Sequence, residues 1–148
     1  MTDAPAIDLA QTIELSVAPV FLLVALGSFL NVMTQRLGRV VDRARHLEAA
    51  VRDEPKGAVR DRTVAELKAL GARISYANRA IGLSSAAALC VAIDVAILFL
   101  AELIGARLTT LAAGLFIVSM VGLIASLGFF LAEVSVATRT LRSGYLEK

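Results

Sequence analysis

The chain has 148 residues, 57% of them hydrophobic and only 19% charged, with mean hydropathy +0.74 and a formal net charge of +2. A soluble globular domain carries about 25% charged residues, so this balance argues against one and for a membrane. One cysteine (Cys90) and one histidine (His46) leave no internal disulfide, no Cys/His zinc cluster and no paired haem ligation, and no cofactor is expected.

In chain order, residues 1–14 carry three acids (Asp3, Asp8 and Glu14) and no Lys or Arg. This acidic flank is unlike the positive start of a signal peptide, so the apolar stretch that follows is read as retained. That stretch, Leu15 to Gln35, has 21 residues and no charge. A helix needs about 20 such residues to cross a bilayer core of about 30 Å. Residues 15–35 are therefore predicted as the first of three transmembrane helices.

Residues 36–79 hold eleven Lys/Arg against six Asp/Glu, yet their apolar positions are periodic. Leu30, Met33, Leu37, Val40, Ala44, Leu47 and Val51 alternate spacings of three and four, a heptad seam. Leu67, Leu70, Ile74, Ala77 and Ile81 repeat it after the helix-breaking Pro55 and Gly57. The segment is predicted as an antiparallel helical hairpin of coiled-coil character. Matching the seams pairs Leu37 with Ile74 and Ala44 with Leu67, and brings Gly38 level with Gly71 as a point of close backbone approach.

Ala80 to Ala101 has 22 residues with Asp94 the sole charge, and residues 102–107 form a short turn placed near Gly105. Leu108 to Ala132 has 25 residues without a charge; the third helix is predicted over 108–134, followed by a tail, 135–148, with Arg139, Arg142 and Lys148. Lys and Arg concentrate on the cytoplasmic side of membrane proteins. The hairpin and the tail are therefore predicted inside, and the N-terminal segment and the short turn outside. The expected fold is all-α: an integral membrane protein with three transmembrane helices and a cytoplasmic antiparallel helical hairpin between the first two.

The stretch "PVFLLVALGSFLNVMTQRLGRVVDRARHLE" (Pro19 to Glu48) resembles the opening of the domain of unknown function 2721 family, and "FFLAEVSVATRTLR" (Phe129 to Arg142) resembles its closing segment. The resemblance implies a small bacterial multi-pass protein of the cytoplasmic (inner) membrane. It implies no activity and no catalytic residues.

Three groups of residues carry candidate chemistry. Arg36, Arg39, Arg43 and Arg45 follow the first span directly, and the first three share a helix face. Such residues snorkel to the surface and attract anionic lipid headgroups, at about 1 kcal/mol each, or contact a partner; marking topology is their plainer role. Asp42 among them could pair with Arg39, Arg45 or His46. With no aromatic platform beside these arginines, nucleic acid is not an expected partner.

The second group is an inner-leaflet polar layer of Asn31, Arg79, Ser84, Ser85 and Glu133. If the last two helices turn tightly near Gly105, Glu133 is level with Ala80 and beside Arg79. The layer would clamp the three helices or form the mouth of a polar pathway.

The third is Asp94, level with Ser119 by the same reckoning. An ionised carboxylate in hydrocarbon costs about 3 kcal/mol or more, so Asp94 is expected to be neutral and hydrogen-bonded to the Ser119 hydroxyl. Its alternative role is a ring of carboxylates around the axis of an oligomeric pore. Small residues on the third span (Ser119, Gly122 and Ser126, with Gly114 and Gly128 nearby) would allow close helix packing.

No Gly-rich phosphate loop, GxSxG or HExxH motif occurs, and an enzyme is not expected. The reading is a non-enzymatic structural or accessory membrane protein that self-associates, as a homo-oligomer, or docks an unidentified protein through its hairpin. The alternative is a homo-oligomeric ion channel or proton pathway using Asp94.

Overall fold

The computed structural model describes residues 9–53, 55–104 and 108–145, and side chains over 13–52, 55–104 and 108–138. Among the described residues the fold is all-helical, in three long helices: α1 (Leu9–Asp53, 45 residues), α2 (Ala58–Ile104, 47 residues) and α3 (Thr109–Tyr145, 37 residues). At 1.5 Å per residue each is far longer than the ~30 Å of a bilayer core. All three are long and apolar enough to cross a membrane.

The breaks between them have local causes. Pro55 and Gly57 interrupt the pattern after α1, and the Asp61 N–H donates to the Gly57 carbonyl (3.1 Å) to start α2. Asp61 also puts a negative charge in the first turn, where the helix dipole favours it. α3 starts with the Ala112 N–H donating to the Leu108 carbonyl at 3.0 Å. α3 runs past the span expected at 108–134 and continues helical to Tyr145. The expected turn centre at Gly105 lies outside the described residues, as do Asp3, Asp8, Lys148 and the side chains of Arg139 and Arg142.

Buried positions recur every seven residues on each helix. On α1 they are Pro19, Leu26, Met33 and Val40. On α2 they are Ala80, Ala87 and Asp94, with Ser84 and Val91 between them. On α3 they are Ala112, Ser119, Ser126 and Glu133. A seven-residue repeat holds one narrow stripe of each helix inward. Outside the stripes lie bare apolar side chains such as Phe21 (71% exposed) and Ile124 (68%). Apolar surface on this scale calls for lipid rather than water.

The chain forms two compact units, each drawing on all three helices. The first comprises the chain to Leu30 together with Leu83–Ile124. In it the bare Cα of Gly122 faces α2: a Cβ there would lie 3.6 Å from that of Ala87. The second comprises Asn31–Gly82 and the chain from Ala125. Here α1 and α2 run antiparallel around a small core of Val40, Ala44 and Leu70, with Leu47, Leu67 and Ile74 packed against it. Gly38 and Gly71 are not a close approach. Both are exposed, and a Cβ on either would meet nothing within 4 Å. The seam positions Val40, Ala44 and Leu70 pack here, and the glycines fall to the outside.

Candidate functional site: a clamped carboxylate and an unpaired one

In the second unit, α3 carries Glu133 on its buried stripe at 3% exposure. Two arginines reach it. Arg73 of α2 donates from Nε (2.9 Å) and Nη2 (2.8 Å) to Oε1, and Arg36 of α1 lies with Nη2 3.2 Å from Oε2. One carboxylate thus ties three helices together. Aromatic rings seat the cations: the Arg36 guanidinium lies 5.2 Å from the Phe130 ring centroid, and that of Arg79 5.9 Å from Phe129. Tyr76 packs on Phe129 with ring centroids 6.4 Å apart.

Next to this clamp is a cleft of ≈ 280 Å³ lined by Arg36, Arg39, Val40, Arg43, Leu70 and Arg73. Arg43 holds Glu66 through Nε (3.1 Å) and Nη2 (2.9 Å). Arg39 forms no ion pair among the described residues. Four guanidinium groups against two carboxylates leave the cleft with surplus positive charge. Arg45 is exposed and not among its lining residues, and Asp42 is exposed and makes no ion pair among the described residues.

The expected polar layer is rearranged. Glu133 pairs with Arg73 and Arg36, not with Arg79. Asn31 is exposed, its Oδ1 accepting from Gln35 Nε2 (3.2 Å), and Ser85 is exposed. Ser84 is fully buried, on the α2 stripe of the first unit. The cause of the miss is register. Ser126, rather than Glu133, sits opposite Ala80: its hydroxyl donates to the Ala80 carbonyl at 2.7 Å. α3 is offset along α2 by one heptad from the register that a tight turn at Gly105 implies. Arg73 went unnoticed in the sequence, although a signal existed. Following the α2 stripe back from Asp94 through Val91, Ala87, Ser84, Ala80 and Ala77 in steps of three and four arrives at Arg73.

The first unit contains the other carboxylate. Asp94 is 3% exposed, and its Oδ1 has no hydrogen-bond partner among the described residues. The expected bond from Ser119 is absent, because the Ser119 hydroxyl donates to the carbonyl of Phe116 on its own helix (2.6 Å). Hydroxyls in apolar helices commonly turn back onto the preceding turn in this way. Asp94 instead borders a cleft of ≈ 280 Å³ shared with Ala112, Ala113 and Phe116 of α3 and with Leu15 and Pro19 of α1. Thr109 also lines this cleft, but among the described residues no group donates to Asp94 Oδ1.

The family described as "Protein of unknown function (DUF2721)" matches residues 16–143, which takes in both carboxylates and every arginine of the basic cleft. The chain belongs to this family. No curated protein and no solved structure matches it. The DUF2721 match runs from the second residue of the first apolar stretch to beyond the Glu133 clamp, so it takes in all of the basic cleft and all of the Asp94 cleft except Leu15.

Proposed function

We propose that this DUF2721 protein is a non-enzymatic structural or accessory protein of the bacterial inner membrane. Its N-terminus is outside, its C-terminus is inside, and its α1–α2 hairpin is a cytoplasmic arm that docks a partner or a second copy. The observation that carries the reading is the arginine cleft. Arg36 is the first basic residue after the charge-free stretch of α1, so the cleft falls where the arm leaves the membrane. A guanidinium fork suits phosphate oxygens, and each basic side chain near an anionic leaflet contributes about 1 kcal/mol. The cleft would hold an anionic phospholipid headgroup against Arg39 and Arg43, while the Glu133 clamp keeps Arg36 and Arg73 in place. The root of the arm would then be rigid and fixed at headgroup level.

Native mass spectrometry of protein released from nanodiscs of equal phosphatidylglycerol and phosphatidylcholine tests this. Wild type is expected to retain phosphatidylglycerol in excess, and the double variant Arg39→Gln/Arg43→Gln to lose the preference. Equal retention of both lipids by wild type overturns it. The arm's side is tested with Ala50→Cys in a Cys90→Ala background. An impermeant maleimide should label inverted vesicles and spare intact cells, and the reverse pattern sinks the topology.

The pore reading has less support. The α2 face bearing Asp94 is Ser84, Ala87, Val91, Leu98 and Ala101, mostly apolar, which is poor lining for a wet path.

A further inference from the structure

The cleft at Asp94 combines three properties that together specify a ligand. Its walls are mostly apolar: Leu15 and Pro19 from α1, Leu98 from α2, Ala112 and Phe116 from α3, with the Thr109 hydroxyl the one polar side chain besides Asp94. Its one ionisable group is a carboxylate buried to 3% exposure, with Oδ1 unsatisfied. Its volume, ≈ 280 Å³, falls just below the usual range for small-molecule sites, about 300 to 1,000 Å³, which suits a small ligand. A buried acceptor without a donor is destabilising by about 1–3 kcal/mol, more if it is charged, and a ligand that supplies the donor removes that penalty.

The backbone adds a second acceptor. Pro19 lies inside α1 and has no N–H, so the carbonyl of Leu15, one turn earlier, lacks its helical donor. Leu15 and Pro19 both line the cleft. Two acceptors and no lining Lys or Arg favour a donor-rich cation. A bound metal ion fits poorly, since among the described residues no three His, Cys, Asp or Glu side chains gather to hold one. Leu15, Thr109 and Ala113 are exposed on the cleft's rim, which opens it to the apolar surroundings of the helices.

We infer that the Asp94 cleft is a binding site for a lipophilic primary ammonium, a monocation with an apolar body. The ammonium donates to Asp94 Oδ1 and the Leu15 carbonyl, the Phe116 ring offers a cation–π face, and the apolar body fills the remaining volume. Charge complementarity selects the class: one carboxylate takes one positive charge, and neutralisation inside an apolar site makes the pair stronger than in water. The inference is independent of the headgroup reading, which concerns a different cleft.

The test is equilibrium dialysis of the full chain in nanodiscs with tritiated 4-phenylbutylammonium, against its neutral isostere 4-phenylbutanol, with empty nanodiscs subtracted. Wild type is expected to prefer the amine by about tenfold or more, the scale of a charge-assisted hydrogen bond. Asp94→Asn should abolish that preference while the alcohol still binds. Ala113→Phe, on the exposed rim, leaves Asp94 in place and should reduce binding of both probes. Equal binding of amine and alcohol by folded wild type overturns the inference and leaves Asp94 a neutral acid in an apolar hollow. An amine preference that survives Asp94→Asn, or undiminished binding of both probes to Ala113→Phe, also overturns it. So does a failure of either probe to bind, with Ala113→Phe shifting the oligomeric state, since a second copy would then occupy the cleft.

Discussion

Two buried carboxylates, each 3% exposed, meet opposite fates in the two units. Glu133 is gripped by Arg36 and Arg73, whereas Asp94 Oδ1 has no hydrogen-bond partner among the described residues. Both stand on heptad stripes flanked by small residues, so burial and local sequence do not distinguish them. The difference lies in what the neighbouring helix presents at the same level. α2 brings a long, forked donor to Glu133; α3 lines the cleft at Asp94 with Thr109, Ala112, Ala113 and Phe116, none of which donates to Oδ1. A satisfied buried charge holds its unit together, and an unsatisfied one is a place where something else can bind.

The sharpest way to break this contrast is to remove each carboxylate. Glu133→Leu leaves two arginines facing an apolar site, and because they are partly exposed (side chains 31% and 22%) they can swing outward. A loss of about 2–3 kcal/mol is expected in denaturant titrations in detergent, below the upper range for a broken buried pair. Asp94→Leu should act in the other direction. Removing an acceptor that has no partner should stabilise the protein by about 1–2 kcal/mol in the same titration. If both variants lose stability alike, Asp94 is satisfied in the membrane and the contrast fails.

Smaller effects sharpen the same comparison at the hydroxyls. Ser126→Ala removes a bond between helices and should destabilise by about 0.6 kcal/mol, the usual value for such bonds in membranes. Ser119→Ala removes only a bond to its own helix and should change stability by less than Ser126→Ala. Glu66→Gln breaks an ion pair whose side chains are 58% and 40% exposed, and its effect should fall within about 0–1 kcal/mol and fade with salt. Gly122→Ala should be nearly silent, since the added methyl meets Ala87 at an ordinary 3.6 Å.

Much of this protein was legible from spacing. Three charge-free or nearly charge-free stretches mark the three apolar helices, and alternating three- and four-residue steps mark which side chains turn inward. Val40, Ala44 and Leu70, read as seam positions, form the core of the second unit. The steps also predicted the face of α2 on which Asp94 lies. Periodicity names the inward stripe of a helix and says nothing of how far one helix slides along its neighbour.

That sliding decided both sites. A tight turn near Gly105 sets Glu133 beside Arg79 and Asp94 beside Ser119. One heptad of offset sets Glu133 against Arg73, Ser126 against Ala80, and Asp94 against alanine. An offset of a whole heptad keeps every stripe facing inward, so apolar packing is nearly indifferent to it. What distinguishes the two registers is directional: the forked Arg73–Glu133 pair and the Ser126 hydroxyl on the Ala80 carbonyl. The sequence by itself determined three apolar helices, their inward faces and the charged reach between the first two, because these follow from composition and period. Only the tertiary structure decided which polar group meets which, because hydrogen bonds and ion pairs depend on register between helices, and no pattern within a single helix encodes it.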